Sequence, residues 1–296
     1  MKASVPYRSE VGNMKRCRHP SILRRVIGRL NFLHPVFVNA LDRWGKLLQK
    51  IANTIRFESF WSEKVFSDER VTVLPSFQKA KSKHPIWKIA SEKVSQLGNS
   101  GSVIEFGTNN GGSLLWFQKH LPEGMLLHGL DCFTGLPEEW DGLPKHSIRG
   151  FGGPLVLWDD DPCMQKKVAD SISSGHGFPA PPQPNIKIHA GFFSDTIHGV
   201  MSSCGHPPTT LRLIHFDADI YMSTRPMLEI LCGLIKYKYY ILFDEFYSAN
   251  HEFRAWHEFI ELYDIRDWRV VATSEDGVQV LVEVNTEAEP APDEPG

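Results

Sequence analysis

The chain has 296 residues, 42% hydrophobic and 23% charged, the proportions of a globular protein with room for one large α/β domain and appendages. Its net charge of −3 excludes a global basic field for nucleic acid, and no run approaches the ~20 apolar residues of a membrane span. The first twenty residues lack the apolar core of a signal peptide, and five scattered cysteines without a C-x-x-C pair argue against a cysteine zinc site and fit the reduced thiols of a cytoplasmic protein.

Residues 1–30 carry eight Lys/Arg against one acid, Glu10, and from Ser21 to Phe57 apolar residues recur at helical spacing. This predicts a basic, helical N-terminal extension over residues 1–66. Such an amphipathic arm packs on its own domain or on a second copy in a homo-oligomer, a membrane surface being the alternative. Residues 67–285 form the main domain, and the acidic, Pro-rich residues 286–296 a disordered tail.

Within the main domain strands and helices alternate. "HPIWKIASEKVSQLGNSG" predicts a helix ended by glycine, followed by the strand "SVIEFG", a helix over Ser113–His120 and the strand "MLLHGLD". Residues 134–185 then break the rhythm with many Gly and Pro, as an inserted lid or substrate loop does; "WDDDP" (Trp158–Pro162) is a solvated charge run within it. The strand "NIKIHAGFF" follows, then "LRLIHFDAD", a helix over Arg225–Ile235, "YYILFDEF", a helix over His251–Tyr263, and "WRVVATS" with "VQVLVEV" as a hairpin. The alternation implies a seven-stranded, mostly parallel Rossmann-like sheet with ligands at the strands' carboxyl ends.

The turn "EFGTNNGGS" after the first of these strands discriminates among ligands. A phosphate-binding P-loop requires Lys and Ser/Thr where Ser113 and Leu114 stand, and the dinucleotide pattern G-x-G-x-x-G meets Asn at 109. What remains is an acid, Glu105, followed by glycines at 107 and 111 and no lysine. S-adenosylmethionine, with an ammonium and no phosphate, suits that chemistry. Asp131 at the end of the next strand is placed to chelate ribose hydroxyls.

Two further strand ends are acidic. Asp217 and Asp219 in "HFDADIY" share a face, and Asp244 and Glu245 close "LFDEF" 27 positions after Asp217, one strand-helix-strand unit away. Converging carboxylates need something positive between them, and a hard cation, Mg²⁺ or Mn²⁺, held by Asp217, Asp244 and Glu245 provides it. Pairing with Arg225, Arg254 or helix N-termini is the structural alternative. Asp217, Asp219 or His215 then serves as base; His251 and Tyr221 lie near the same acids. The D-x-D at 217–219 also admits a metal-dependent glycosyltransferase, although no basic phosphate cradle accompanies it. A non-catalytic binding protein on the same fold is the third reading.

Taken together, "VIEFGTNNGGSL", "HGLDCFTGLPEEW", "HAGFFSDTI", "IHFDADIYMST" and "ILFDEFY" resemble the macrocin (TylF/MycF-type) O-methyltransferases over roughly Phe77–Val284. The resemblance implies a class I S-adenosylmethionine-dependent, metal-dependent enzyme that methylates a hydroxyl of a small molecule, a sugar of a natural product. It implies that Glu105, Gly107, Thr108, Gly111 and Ser113 line the methionine end, Asp131 and Cys132 the ribose, and Phe192, Phe193 and Ser194 the adenine. Magnesium-dependent catechol-type O-methyltransferases carry acids at the same strand ends as Asp217 and Asp244. Cys132, Ala218 and Glu245 depart from the family's usual Ser, Gly and Asp.

Overall fold

The computed structural model describes residues 35–138, 140, 143–145, 166, 167, 170, 183–203, 210–232, 235–285 and 287–289. Most of the basic arm, most of the 134–185 insertion, including Trp158–Pro162, and most of the acidic tail lie outside them. The chain divides into two units, residues 1–49 and 50–296. In the first, the described residues open a helix, α1 (Pro35–Trp61), on which Leu41, Trp44 and Leu48 are exposed. No helix of the described residues is long and apolar enough to cross a membrane.

In the second unit α1 continues into a π-helical turn (Ser62–Phe66). There follow β1 (Thr72–Leu74), α2 (Phe77–Ala80), α3 (His84–Ser95), β2 (Ser100–Phe106), α4 (Gly112–His120) and β3 (Gly124–Asp131). After the insertion come β4 (Ile186–Ala190), α5 (Phe193–Ser203), β5 (Leu211–Phe216), α6 (Tyr221–Cys232) and β6 (Tyr239–Phe243). The chain closes with α7 (Glu252–Leu262), β7 (Trp268–Ser274) and β8 (Val280–Val284).

The strands form one sheet in the order β1-β7-β8-β6-β5-β2-β3-β4. All neighbours are parallel except β8, which runs antiparallel to β6 and β7 and makes the predicted hairpin. From β2 to β8 this is the expected seven-stranded, mostly parallel Rossmann-like sheet. The eighth strand, β1, is an addition: "TVL" pairs with β7 over three residues, too short to show a period of its own. The strand predicted through Phe193 ends at Ala190, because Gly191 turns at φ 141° and α5 begins two residues later.

Alternation along the strands feeds two cores. Ile104, Phe106, Phe216 and Phe243 pack on one face with Trp256 and with Phe60 and Trp61 from the end of α1; Val103, Leu213, Leu242 and Leu281 pack on the other under Trp87 of α3 and Phe117 of α4. β2 pairs with β3 on one side and β5 on the other, so the chain's winding reverses there and opens a crevice at their carboxyl ends. Gly107 makes that approach possible. It holds φ 92°, and a Cβ there would lie 1.8 Å from the Asp217 carbonyl oxygen. Because the obstacle is backbone, Gly107→Ala is expected to destabilise the domain by about 3 kcal/mol or more, read as a lowered urea midpoint.

Candidate active site

The alternation that buries Leu213 and Leu242 also turns His215, Asp217 and Asp244 to the α3–α4 face. In the register of β2 with β5, Glu105 stands opposite His215, and both are completely buried. His215 Nδ1 lies 2.8 Å from Glu105 Oε2, and its Nε2 lies 4.0 Å from Asp244 Oδ1. Trp87 and Phe117 present ring edges to the imidazole at 6.2 and 5.8 Å. Burial opposes a charge on His215, but bonding to Asp244 and Glu105 outweighs it and lifts its pKa to about 10. It is a buried imidazole set between two carboxylates.

Asp244 is likewise completely buried. Its Oδ1 accepts from the side-chain amide of Gln279 and its Oδ2 from the ammonium of Lys83. The same ammonium lies 3.9 Å from Asp217 Oδ1. Burial alone would raise the Asp244 pKa; His215 and Lys83 outweigh burial and hold it below the ordinary carboxylate range. Lys83 is correspondingly held above its ordinary value, burial being overcome by Asp217 and Asp244. Asp217 moves the other way, pushed well up by burial and by the charge of Asp244. Burial lifts Asp219 to about 7, and lifts Glu252, whose Oε2 accepts the Glu245 amide at 3.0 Å, well above its usual range.

Beside these acids a cavity of about 280 Å³ opens between the ends of β2, β3 and β5. Asp131 frames it by pinning two loops: the Asn109 amide donates to Oδ2 at 2.8 Å and the Phe133 amide to Oδ1 at 2.7 Å. Both loop residues have positive φ, 48° and 54°, conformations these bonds help to hold. A carboxylate offers about four lone-pair sites, so these two bonds leave Asp131 acceptor capacity for a ligand. Burial raises its pKa, and the backbone amides of Phe133, Asn109 and Thr108 oppose that rise.

Of the residues singled out in the sequence, Gly107, Asp131, Cys132, Phe192, Phe193, Asp217, Asp219 and Glu245 line the cavity. Others do not. Glu105 and His215 bond to each other beneath the rim, with Glu105 Oε1 and His215 Nε2 left without a hydrogen-bond partner among the described residues. Thr108 is buried, Gly111 with φ 82° caps α4, Ser113 is buried in that helix's first turn, and Ser194 is exposed on α5. Tyr221 gives its hydroxyl to Glu258 and stacks under Arg254, while His251 accepts the Tyr221 amide. Arg225 and Arg254 pair with Glu229 and Glu258 rather than with the strand-end acids. The lining also includes residues not assigned a role from the sequence, among them Lys83, Trp140 and Ser223. Trp140 and Ser223 carried a signal, as parts of "HGLDCFTGLPEEW" and "IHFDADIYMST"; Lys83 stands in neither.

Two groups are chemically suited to this site. Carboxylate oxygens of Asp217 and Asp244, with Glu245 adjoining, are donors for a hard divalent cation, although Lys83 now shares those oxygens. Spare acceptor capacity on Asp131, aromatic walls at Phe192 and Phe193, and Lys83 as the single cation among the described lining residues suit an uncharged nucleoside.

No protein-family model matches the chain, and no curated protein does. Among solved structures, the O-methyltransferase NovP is 18% identical over 67% of this chain and 77% of its own, with a TM-score of 0.46. The calicheamicin methyltransferase CalS11 is 18% identical over 78% and 91%, also at 0.46. The O-methyltransferase from Bacillus cereus in complex with SAH is 12% identical over 68% and 80%, at 0.42. Likenesses of this size carry no argument about chemistry, which rests on the residues themselves.

His215 is the buried partner of Glu105. His215→Ala strands Glu105 as an uncompensated buried acid, and a loss of about 3–5 kcal/mol is expected by chemical denaturation.

Proposed function

We propose that the chain is an S-adenosylmethionine-dependent O-methyltransferase acting on a hydroxyl of a small molecule, with a natural-product sugar as the acceptor class. The observation that carries the reading is Asp131. It is a cavity-lining carboxylate fixed at the end of the second central strand by two backbone amides, with lone pairs left for a vicinal diol and no phosphate ligand beside it. Phe192 and Phe193 suit the adenine, and the backbone at Gly107 and Asn109 suits the methionine end. When bound, the cofactor supplies an electrophilic methyl group, which leaves sulfur for the acceptor oxygen.

The chain's own contribution is to orient and to take the proton. Asp219 lines the same cavity, and its carboxylate receives the hydroxyl proton as the new C–O bond forms. Trp140, Leu136 and Pro137 wall the cavity and exclude water from the transfer. Asp217, Asp244 and Glu245 would hold Mg²⁺, which supplies Lewis acidity toward the acceptor hydroxyl. A nucleotide-sugar transferase fits less well, because among the described lining residues Lys83 is the single cation and it is committed to Asp244.

Asp131→Ala should weaken S-adenosylmethionine by about 1–3 kcal/mol in calorimetry, since ribose hydroxyls lose a charged acceptor. A UDP-sugar binding in its place would overturn the proposal. In a screen of glycosides against catechols, EDTA should abolish methyl transfer while leaving cofactor affinity nearly intact, and Mg²⁺ should restore turnover. Asp219→Asn should lower kcat by about 10²–10⁴-fold, far more than it weakens S-adenosylmethionine.

A further inference from the structure

One group in the carboxylate cluster has no part in the proposed reaction: Lys83. It caps the N-terminus of α3, 161 positions before Asp244. A cation there opposes the helix dipole, so local helix energetics do not explain it. Its partners do. Asp244 is fully buried and its two oxygens are taken by Lys83 and Gln279, while Asp217 Oδ1 lies 3.9 Å from the same ammonium. The Lys83 side chain keeps 29% of its surface exposed, so it has a path out of the cluster.

We propose that Lys83 is a resident cation that competes with divalent metal for Asp244 and Asp217, so that metal enters only as the ammonium leaves. This rests on the reading of these acids as a metal site. A Mg²⁺ or Mn²⁺ ion must come to about 2.0–2.2 Å from its oxygens, which puts it against an ammonium hydrogen-bonded to one of them. Like charges at that distance between two buried carboxylates exclude each other. Without metal, Lys83 keeps the cluster neutral enough to fold; with metal, it swings toward solvent at the cavity wall. Lys83 therefore sets the metal affinity and lets the domain survive metal loss.

The test is Mn²⁺ binding, followed by the electron-paramagnetic-resonance signal of free Mn²⁺, in the full chain and in Lys83→Met. Removing the competitor should tighten Mn²⁺ roughly tenfold or more. In EDTA the variant should melt lower than the parent, and Mg²⁺ should raise its melting temperature by more than it raises the parent's. Equal or weaker Mn²⁺ affinity in Lys83→Met overturns the competition, as does failure of both chains to bind Mn²⁺. S-adenosylmethionine calorimetry on the same preparations reports separately whether the cofactor reading stands. Should the variant not fold, acylation of Lys83 in the parent, quantified by peptide mass spectrometry, keeps the question open to refutation. Its rate should rise severalfold on adding Mg²⁺, and an unchanged rate refutes displacement.

Discussion

Burial of too many carboxylates at one rim is the constraint from which the rest of this domain follows. Glu105, Asp244 and Glu252 are wholly enclosed, and Asp217 is largely so. Each ion taken from water carries a penalty of several kcal/mol unless compensated. The sheet compensates by register: β2 and β5 pair so that His215 falls between Glu105 and Asp244. What β5 cannot supply, α3 does, since its N-terminus brings Lys83 to the far side of Asp244. Glu252, at the start of α7, draws instead on the backbone amide of Glu245 just after β6. Helix positions on both sides of the rim are thus tied to the charges they neutralise, and the cavity lies where these ties leave space.

Asp131 solves the same problem without any cation. Two amides from successive loops satisfy part of its acceptor capacity, and those bonds support positive φ at Asn109 and Phe133. A pinned carboxylate of this kind is preorganised, because the loops have already given up their freedom before a ligand arrives. Gly107 completes the arrangement by letting the loop after β2 cross the Asp217 carbonyl. One acid is thereby fixed by dipoles and the other group by mobile or exchangeable charge.

That division also governs what could be read from the sequence. Strand ends were legible because apolar runs stop at an acid or a glycine, as in "HGLD" and "LIHFD", and a mostly parallel sheet followed from their alternation with helices. The cavity acids Asp131, Asp217, Asp219 and Glu245 were therefore found. The pairing of Glu105 with His215 was not read, although a signal for it existed. "VIEFG" and "LIHFD" carry Glu and His at the same distance from the strand end, and parallel neighbours in register bring such residues face to face. Lys83 had no comparable signal, standing among Lys79, Lys81 and Lys88 in a stretch where nothing marks one lysine from the next. Its role depends on a contact across 161 positions, which local patterning cannot encode. β1 escaped for a related reason, being three residues long and defined only by its partner.

On the proposed chemistry, the acidic rim has a consequence for turnover. S-adenosylmethionine, when bound, would bring one positive charge that its demethylated product lacks, into a cavity lined by Asp131, Asp217 and Asp219. The rim therefore favours the charged cofactor over its neutral product and helps to clear the site after each transfer. Too much negative charge would reverse the benefit, because it would raise the pKa of the acceptor hydroxyl and hold the sulfonium in its ground state. Keeping His215 and Asp244 paired holds the field between those limits. The burial that makes the cluster expensive to fold is also what makes its few unit charges count in catalysis.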